Sequence, residues 1–472
     1  AFLSQGYQKF DISKETVETK NYLIRYSGGA TAAENQTFTS NDAIHRWVMK
    51  NVPALKEERF TSTVNNHVDK IEFQLARIVL PDQQPEDIMG NWEKVTSNLN
   101  KDETFAANLD KNGFLDDEMK GFLQGAKDDE EKVRRIYAYV RDHYTCTDNT
   151  AVYMENTLKT VVKNRSGNVA ELNLLLISMM KHENIKSYPV ILSTRHHGFA
   201  HTFYPLIDRY NYVIAQAIVG SNTYYLDASE PNLGFNELPN KCYNGQARII
   251  TETTATPVNF DPGSITETKV TSVFLFKEKN QGEMSGKYSS TLGNFESMEL
   301  REKVKKKGES EYYKDLAAVN QDYELKNIKL DSIKILEKPV QQNYEFTLKD
   351  SGDVLYVHPM MGEGYKENWF KAAERLYPVE LPYKIDETYI MNMEIPQGYS
   401  VEELPKSAKV SMSEGQAYFE YMIAKDNDVI RLRSRVQFNK ATFLPEEYEE
   451  LREFFSYIVK KHAEEIVLKK TK

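Results

Sequence analysis

The chain of 472 residues is too long for one ordinary domain and fits about three. Its 40% hydrophobic and 28% charged residues exclude large-scale disorder, and no run approaches the ~20 apolar residues that a membrane-spanning helix needs. The balance of 60 Lys and Arg against 70 Asp and Glu, a formal charge of -10 with no sizeable basic run, argues against nucleic acid as a partner.

Residues 1–100 read as β-rich. KNYLIRYSG at 20–28 and KIEFQLARIVL at 70–80 carry the β-branched and aromatic residues of strands, the second alternating Ile71, Phe73 and Leu75. Between them the segment beginning SNDAIHRWVMKNV predicts a short helix, capped by Asn41 or Asp42 and ended by Pro53. From Asn91 to Tyr144 the spacing turns helical, with Val133, Ile136, Tyr137 and Val140 on one face. The acidic run at 128–131 suits the positive end of that helix and reads as a solvated helix start.

The most apolar stretch follows. In NRSGNVAELNLLLISMMKHENIKSYPVIL, residues 164–192, the chain turns at Gly167 and enters a helix that Leu172, Leu174, Leu175, Leu176, Ile177, Met179 and Met180 leave almost without a polar face. Such a helix lies inside a protein rather than on its surface. Glu171 meets the amides of its first turn, Lys181 and His182 its last, and Asn184 takes the place of a left-handed terminator before a strand at 185–192. Two more strands, 213–219 and 223–226, are joined by the turn Gly220-Ser221-Asn222. His197 and His201 would have metal-ligand spacing on a helix, but 194–205 links strand to strand through Gly198, so no metal is expected. The loop from Asp227 to Gly245 is long and ordered. Only two cysteines occur, Cys146 and Cys242, without metal-site spacing; they are two separate thiols or one disulfide.

Beyond Pro262, strands are expected at 269–277, 283–290, 325–331 and 343–349, with one long charged helix at 294–319. An edge strand at 399–404 precedes three strands in 407–438. A closing helix after Pro445 carries Tyr448, Leu451, Phe454, Phe455 and Ile458 along one face.

The order of basic residue, glycine, two variable positions, apolar helix, polar stop and Tyr-Pro-Val resembles the core of the transglutaminase-like superfamily. In that family a cysteine opens the helix two residues after the glycine; here the position is Val169. A histidine follows an aromatic-Asn pair on a strand; here Tyr210-Asn211 leads to Tyr212. The third member, an aspartate ending the next strand, is kept in Tyr225-Leu226-Asp227. The resemblance implies an α+β fold in which a papain-like core at 101–262 lies between two β-rich, sandwich-like parts. These are the latter portion of an N-terminal domain at 1–100 and a C-terminal domain with a closing helix at 263–472. It also implies an exported, periplasmic bacterial protein.

Acyl transfer by this route needs a thiolate and an imidazole that shuttles the proton. Valine has no nucleophile, tyrosine with a reference pKa near ~10 is a poor base at neutral pH, and Asp227 has lost the ring it would orient. The expectation is therefore a catalytically silent member, without cofactor or metal, that acts as a cell-envelope binding or scaffold module. Its partner would be a protein, a peptide or an envelope polysaccharide. The cleft is expected around Gly167, Asn168, Glu171, His197, His201 and Tyr210, with the aromatics Phe199, Phe203, Tyr204 and Tyr210 read as core packing beneath the loop in preference to a rim. The competing reading is a peptidase or amidase with a displaced site, either Cys146 or the pair Glu171 and Asp227 with His197 or His201. A third is a spacer between β-domains with no pocket.

Overall fold

The computed structural model describes residues 2–5, 11–26, 34–52, 54–80, 84–87, 90–277, 284–319, 323–348 and 353–471. Gly28, Pro53, Glu283 and Lys349, four of the expected element ends, lie outside them.

At the N-terminal end β1 (Asp11–Tyr26) and β2 (Glu34–Val48) form a long antiparallel ribbon. The expected short helix at Asn41 and Asp42 is thus a strand. The side chains that would cap a helix bind across the ribbon instead: Thr19 donates to Asn41 at 2.9 Å and the Tyr22 hydroxyl donates to Asp42. A helix of that length has too few turns to repay its nucleation, and the cross-strand ladder wins. The strand expected at 70–80 is broken into Lys70–Phe73 and Arg77–Ile78.

The middle of the chain is built on the central helix. α1 (Trp92–Lys101), α2 (Asp129–His143) and α3 (Leu158–Asn164) surround α4 (Val169–His182), whose residues from Val169 to Met180 are all buried. Asn168 and Glu171 cap its start reciprocally, side chain to backbone at 2.8 Å each way. Its end is a Schellman motif: Ile185 N–H donates to Met180 O at 2.9 Å, Asn184 N–H to Lys181 O at 2.9 Å, and Asn184 has φ 59°.

Against α4 lies an antiparallel sheet of β3 (Lys186–Leu192), β4 (Tyr212–Val219), β5 (Asn222–Leu226), β6 (Gly245–Ile250) and β7 (Ala255–Phe260), in the order β5-β4-β3-β6-β7. Central strands β3 and β4 pair with Leu192 opposite Tyr212. Both are almost wholly buried, as a sheet covered on both faces requires.

The C-terminal part is an eight-stranded sheet. β8 (Thr266–Lys277) pairs antiparallel with β9 (Met284–Thr291), and β10 (Tyr323–Asp331) and β11 (Gln341–Leu348) extend that side. On its other side β8 runs parallel to β12 (Lys384–Glu394). β13 (Ala408–Ser411), β14 (Ala417–Asp426) and β15 (Val429–Phe438) complete the sheet, the three strands expected there.

The single helix expected at 294–319 is two, α5 (Asn294–Lys307) and α6 (Glu309–Val319), parted by Gly308 at φ 83°. Nor does the helix after Pro445 close the chain. α7 (Tyr448–His462) buries its apolar face as expected, but Ile466–Lys470 follows and pairs between Val354–Val357 and Tyr399–Glu403.

Residues 54–67 lace these parts together. Arg375 donates to the Arg59 and Phe60 carbonyls at 2.9 and 3.1 Å, and Glu380 accepts the Ser62 amide at 2.8 Å. His67 stacks on Tyr377, centroids 4.9 Å apart, and Arg195 from the middle of the chain donates to Glu380 O at 2.8 Å.

Candidate functional site

Val169 is the first residue of α4 and Tyr212 the first of β4, and both are 0% exposed. They share one apolar cluster with Val190, Leu192 and Cys242. Asp227 directly follows β5 and is itself 0% exposed. The structure therefore brings the three expected triad positions to one buried place.

The chemistry there is that of a satisfied polar network. Tyr212 donates its hydroxyl to Asp227 Oδ2 at 2.8 Å and stands 3.0 Å from Ser229 Oγ. The other carboxylate oxygen accepts Asn173 Nδ2 at 2.9 Å, Ser229 N at 3.0 Å and Ser229 Oγ at 2.6 Å. Asn173 also accepts the Ala228 amide at 2.9 Å and donates to Val213 O at 2.9 Å. Tyrosine thus occupies the orienting aspartate that an imidazole would need. Burial and the Asp227 charge push its phenol well above the usual range, so it cannot serve as a base at neutral pH.

Above the ring, the Lys241 ammonium lies 4.7 Å from the Tyr212 centroid and 2.6 Å from Glu230. Burial works against that ammonium, but Glu230 and Asp227 outweigh it and hold its pKa up.

Neither cysteine replaces the missing thiolate. Cys146 donates to Asp148 O at 3.3 Å, and burial and Asp227 push its thiol up to about 11. Cys242 is fully buried, its thiol pushed well above the ordinary value for the same two reasons. Both are free, so the expected alternative of a disulfide between them is not formed.

The expected cleft residues divide. Glu171 and Asn168 are structural: besides the cap, Glu171 Oε1 accepts the amides of Glu155 at 2.9 Å and Asn156 at 2.5 Å. Gly167 is required by that close approach, since a Cβ there would stand 2.6 Å from Glu171 Oε2. The nearby Arg165 does not pair with Glu171 but binds Glu118, Tyr139 and Tyr144.

Tyr210 is 4% exposed and meets Trp92 edge-on, so it is core and not rim. His197 contacts Ser193 Oγ at 2.9 Å, and His201 Nδ1 accepts the Phe203 and Tyr204 amides at 3.2 and 3.0 Å. Neither histidine hydrogen-bonds Glu171 or Asp227, so the carboxylate pair of the competing reading is not assembled. Among the described residues no group of three or more His, Cys, Asp or Glu is placed to hold a metal.

Asn173, Ser229, Glu230 and Lys241 were not singled out from the sequence. Only Asn173 carries a signal there: a lone amide in an otherwise apolar helix must find partners indoors.

A buried helix whose first turn abuts the edge of a central antiparallel strand, with an aspartate at the end of the next, defines a papain-like α+β core. The chain contains a transglutaminase-like superfamily domain at residues 118–222, where that family's profile matches, and a C-terminal domain of unknown function, DUF3858, at residues 353–468. The fold is similar to that of a crystal structure from Parabacteroides distasonis described as a "putative protease". The TM-score is 0.51 at 12% identity, covering 97% of this chain and 70% of that one. No curated protein matches the sequence.

Proposed function

We propose that this chain is a transglutaminase-like protein that runs no thiol chemistry and serves as a binding or scaffold module of the bacterial cell envelope, in the periplasm or otherwise exported. One observation carries the reading. The buried Tyr212 hydroxyl, not an imidazole, holds Asp227, and Val169 stands where the nucleophile belongs. The site has been refilled rather than emptied: a phenol, a serine and an asparagine satisfy the carboxylate, which favours a folded frame kept for recognition. Partners are then a protein, a peptide or an envelope polysaccharide.

The test is a hydrolase and transamidase assay on generic peptide and glutamine-amide substrates, run beside the double change Val169→Cys and Tyr212→His. A silent parent with thiol-dependent activity in the double variant is the expected result. Turnover by the unmodified chain would overturn the reading and direct attention to a displaced site.

A further inference from the structure

Away from the buried triad positions, the loop that leaves β3 meets residues 65–72 around an open pocket of about 290 Å³. Asn66, Lys70 and Glu72 line one side, Phe199, Phe203 and Arg209 the other. The walls are held by hydrogen bonds. Phe199 N–H donates to Asn66 Oδ1 at 2.8 Å, Asn244 Nδ2 donates to Gly198 O at 2.9 Å, and Arg209 pairs with Glu72. Gly198, at φ 111°, permits the approach to Asn66 that a side chain would strain.

Three features of the lining bear on what it can hold. First, Phe203 is 81% exposed and Phe199 51%, two large apolar rings on one rim. Second, Lys70 and Arg209 both pair with Glu72, Lys70 at 3.4 Å, so the three side chains leave one net positive charge, while burial and Arg209 lower the pKa of His197 and His201. Third, among the described residues the main-chain amides of Ala200, His201 and Thr202 donate to no protein acceptor. Because His201 Nδ1 accepts two amides, its proton sits on Nε2, which adds another donor.

We infer that this pocket captures the C-terminal carboxylate of a peptide whose last side chain is apolar; the inference rests on the reading of the chain as a binding module and names its ligand class. Consecutive free amides beside a cation form an anion cradle, and the two phenylalanines cover the neighbouring side chain. A saccharide fits less well. Its many hydroxyls need several free side-chain partners, whereas Asn66 already spends both ends of its amide inside the protein and Glu72 is held by Lys70 and Arg209. The volume also suits one terminal residue rather than a long ligand.

The experiment is fluorescence anisotropy of the full chain with fluorescein-labelled Gly-Ser-Gly-Leu bearing a free carboxylate, and with its C-terminal amide. The acid binds and the amide binds about tenfold or more weakly, by loss of one charge-assisted contact. Phe203→Ala, a change at an exposed ring that leaves folding intact, weakens the acid about tenfold. Lys70→Gln narrows the gap between acid and amide. Equal binding of the two probes, or none of the acid at millimolar protein, overturns the proposal. Displacement by chitotetraose without any preference for the acid overturns it in favour of a saccharide. Mass spectrometry of the recovered probe separates the two readings: cleavage counts against catalytic silence alone, and lost acid preference with an intact probe counts against this site alone.

Discussion

Tyr212 decides what the core can do. Its ring fills the space of a smaller imidazole, and its hydroxyl spends one lone pair of Asp227. Removing that hydroxyl leaves a buried carboxylate short of a donor, which typically costs about 1–3 kcal/mol. Tyr212→Phe is therefore expected to lower the unfolding free energy by that amount, read as a lower denaturant midpoint with an unchanged m-value, and an unshifted midpoint would show the network to be idle. Position 212 was legible in the sequence because the aromatic-Asn pair marks it. Ser229, its second neighbour, was not, since nothing in LDAS says that the chain turns back on the carboxylate.

Elements are set by their ends. Asn168 and Asn184 bracket α4; Asn184 as the stop and Glu171 in the first turn were readable because capping chemistry is local, whereas Asn168 was expected in the cleft. Replacing Asn168 by Ala should cost ~1 kcal/mol. Gly167→Ala should cost more, about 1–3 kcal/mol, because the added methyl meets the Glu171 carboxylate and cannot be accommodated without moving the cap. Thermal melts of the two variants give the order.

At the end of α7, His462 tests another balance. A helix C-terminus favours a charged imidazole by ~0.3–1 kcal/mol, yet burial wins and lowers its pKa to about 4. The folded value lies below the unfolded ~6.5, so the unfolded chain binds the extra proton between these limits. Stability from this group is full above pH ~6.5 and falls as pH drops toward 4, by roughly 3 kcal/mol. His462→Gln should flatten that part of the stability-pH curve; an acid limb as steep as the parent's would rule out His462 as its source.

At the scale of the whole molecule, residues 54–67 act as a strap: Phe60 packs against the hydrophobic core of the C-terminal part, and Asn66 accepts the Phe199 amide from the middle of the chain. The strap is held by few contacts, buried or part-buried: Glu380 on the Ser62 amide, Arg375 on the Arg59 and Phe60 carbonyls, and Tyr377 on His67. Truncating Arg375 to Ala removes a charged donor from two part-buried carbonyls, a loss of about 1–3 kcal/mol at the strap rather than in either core. Limited proteolysis should then cut within 54–67 while both cores persist, and protection equal to the parent's would contradict the strap.

The sequence alone determined the buried central helix, its C-terminal stop and the strands of the sheet beside it, because periodicity and turn chemistry are carried by neighbours along the chain. It misread Asn41 and Asp42, since their polar side chains suit a helix cap as well as a cross-strand pair, and only the partner strand chooses between them. It placed one helix where Gly308 divides two. Only the tertiary structure decided that Glu171 also holds the distant Glu155 and Asn156 amides, that Tyr210 is buried against Trp92, and that Asn66 and Gly198, 132 residues apart in numbering, line one pocket. Contacts of that kind join groups whose meeting no local pattern encodes, and burial and hydrogen-bond satisfaction settle them only when the whole chain is folded.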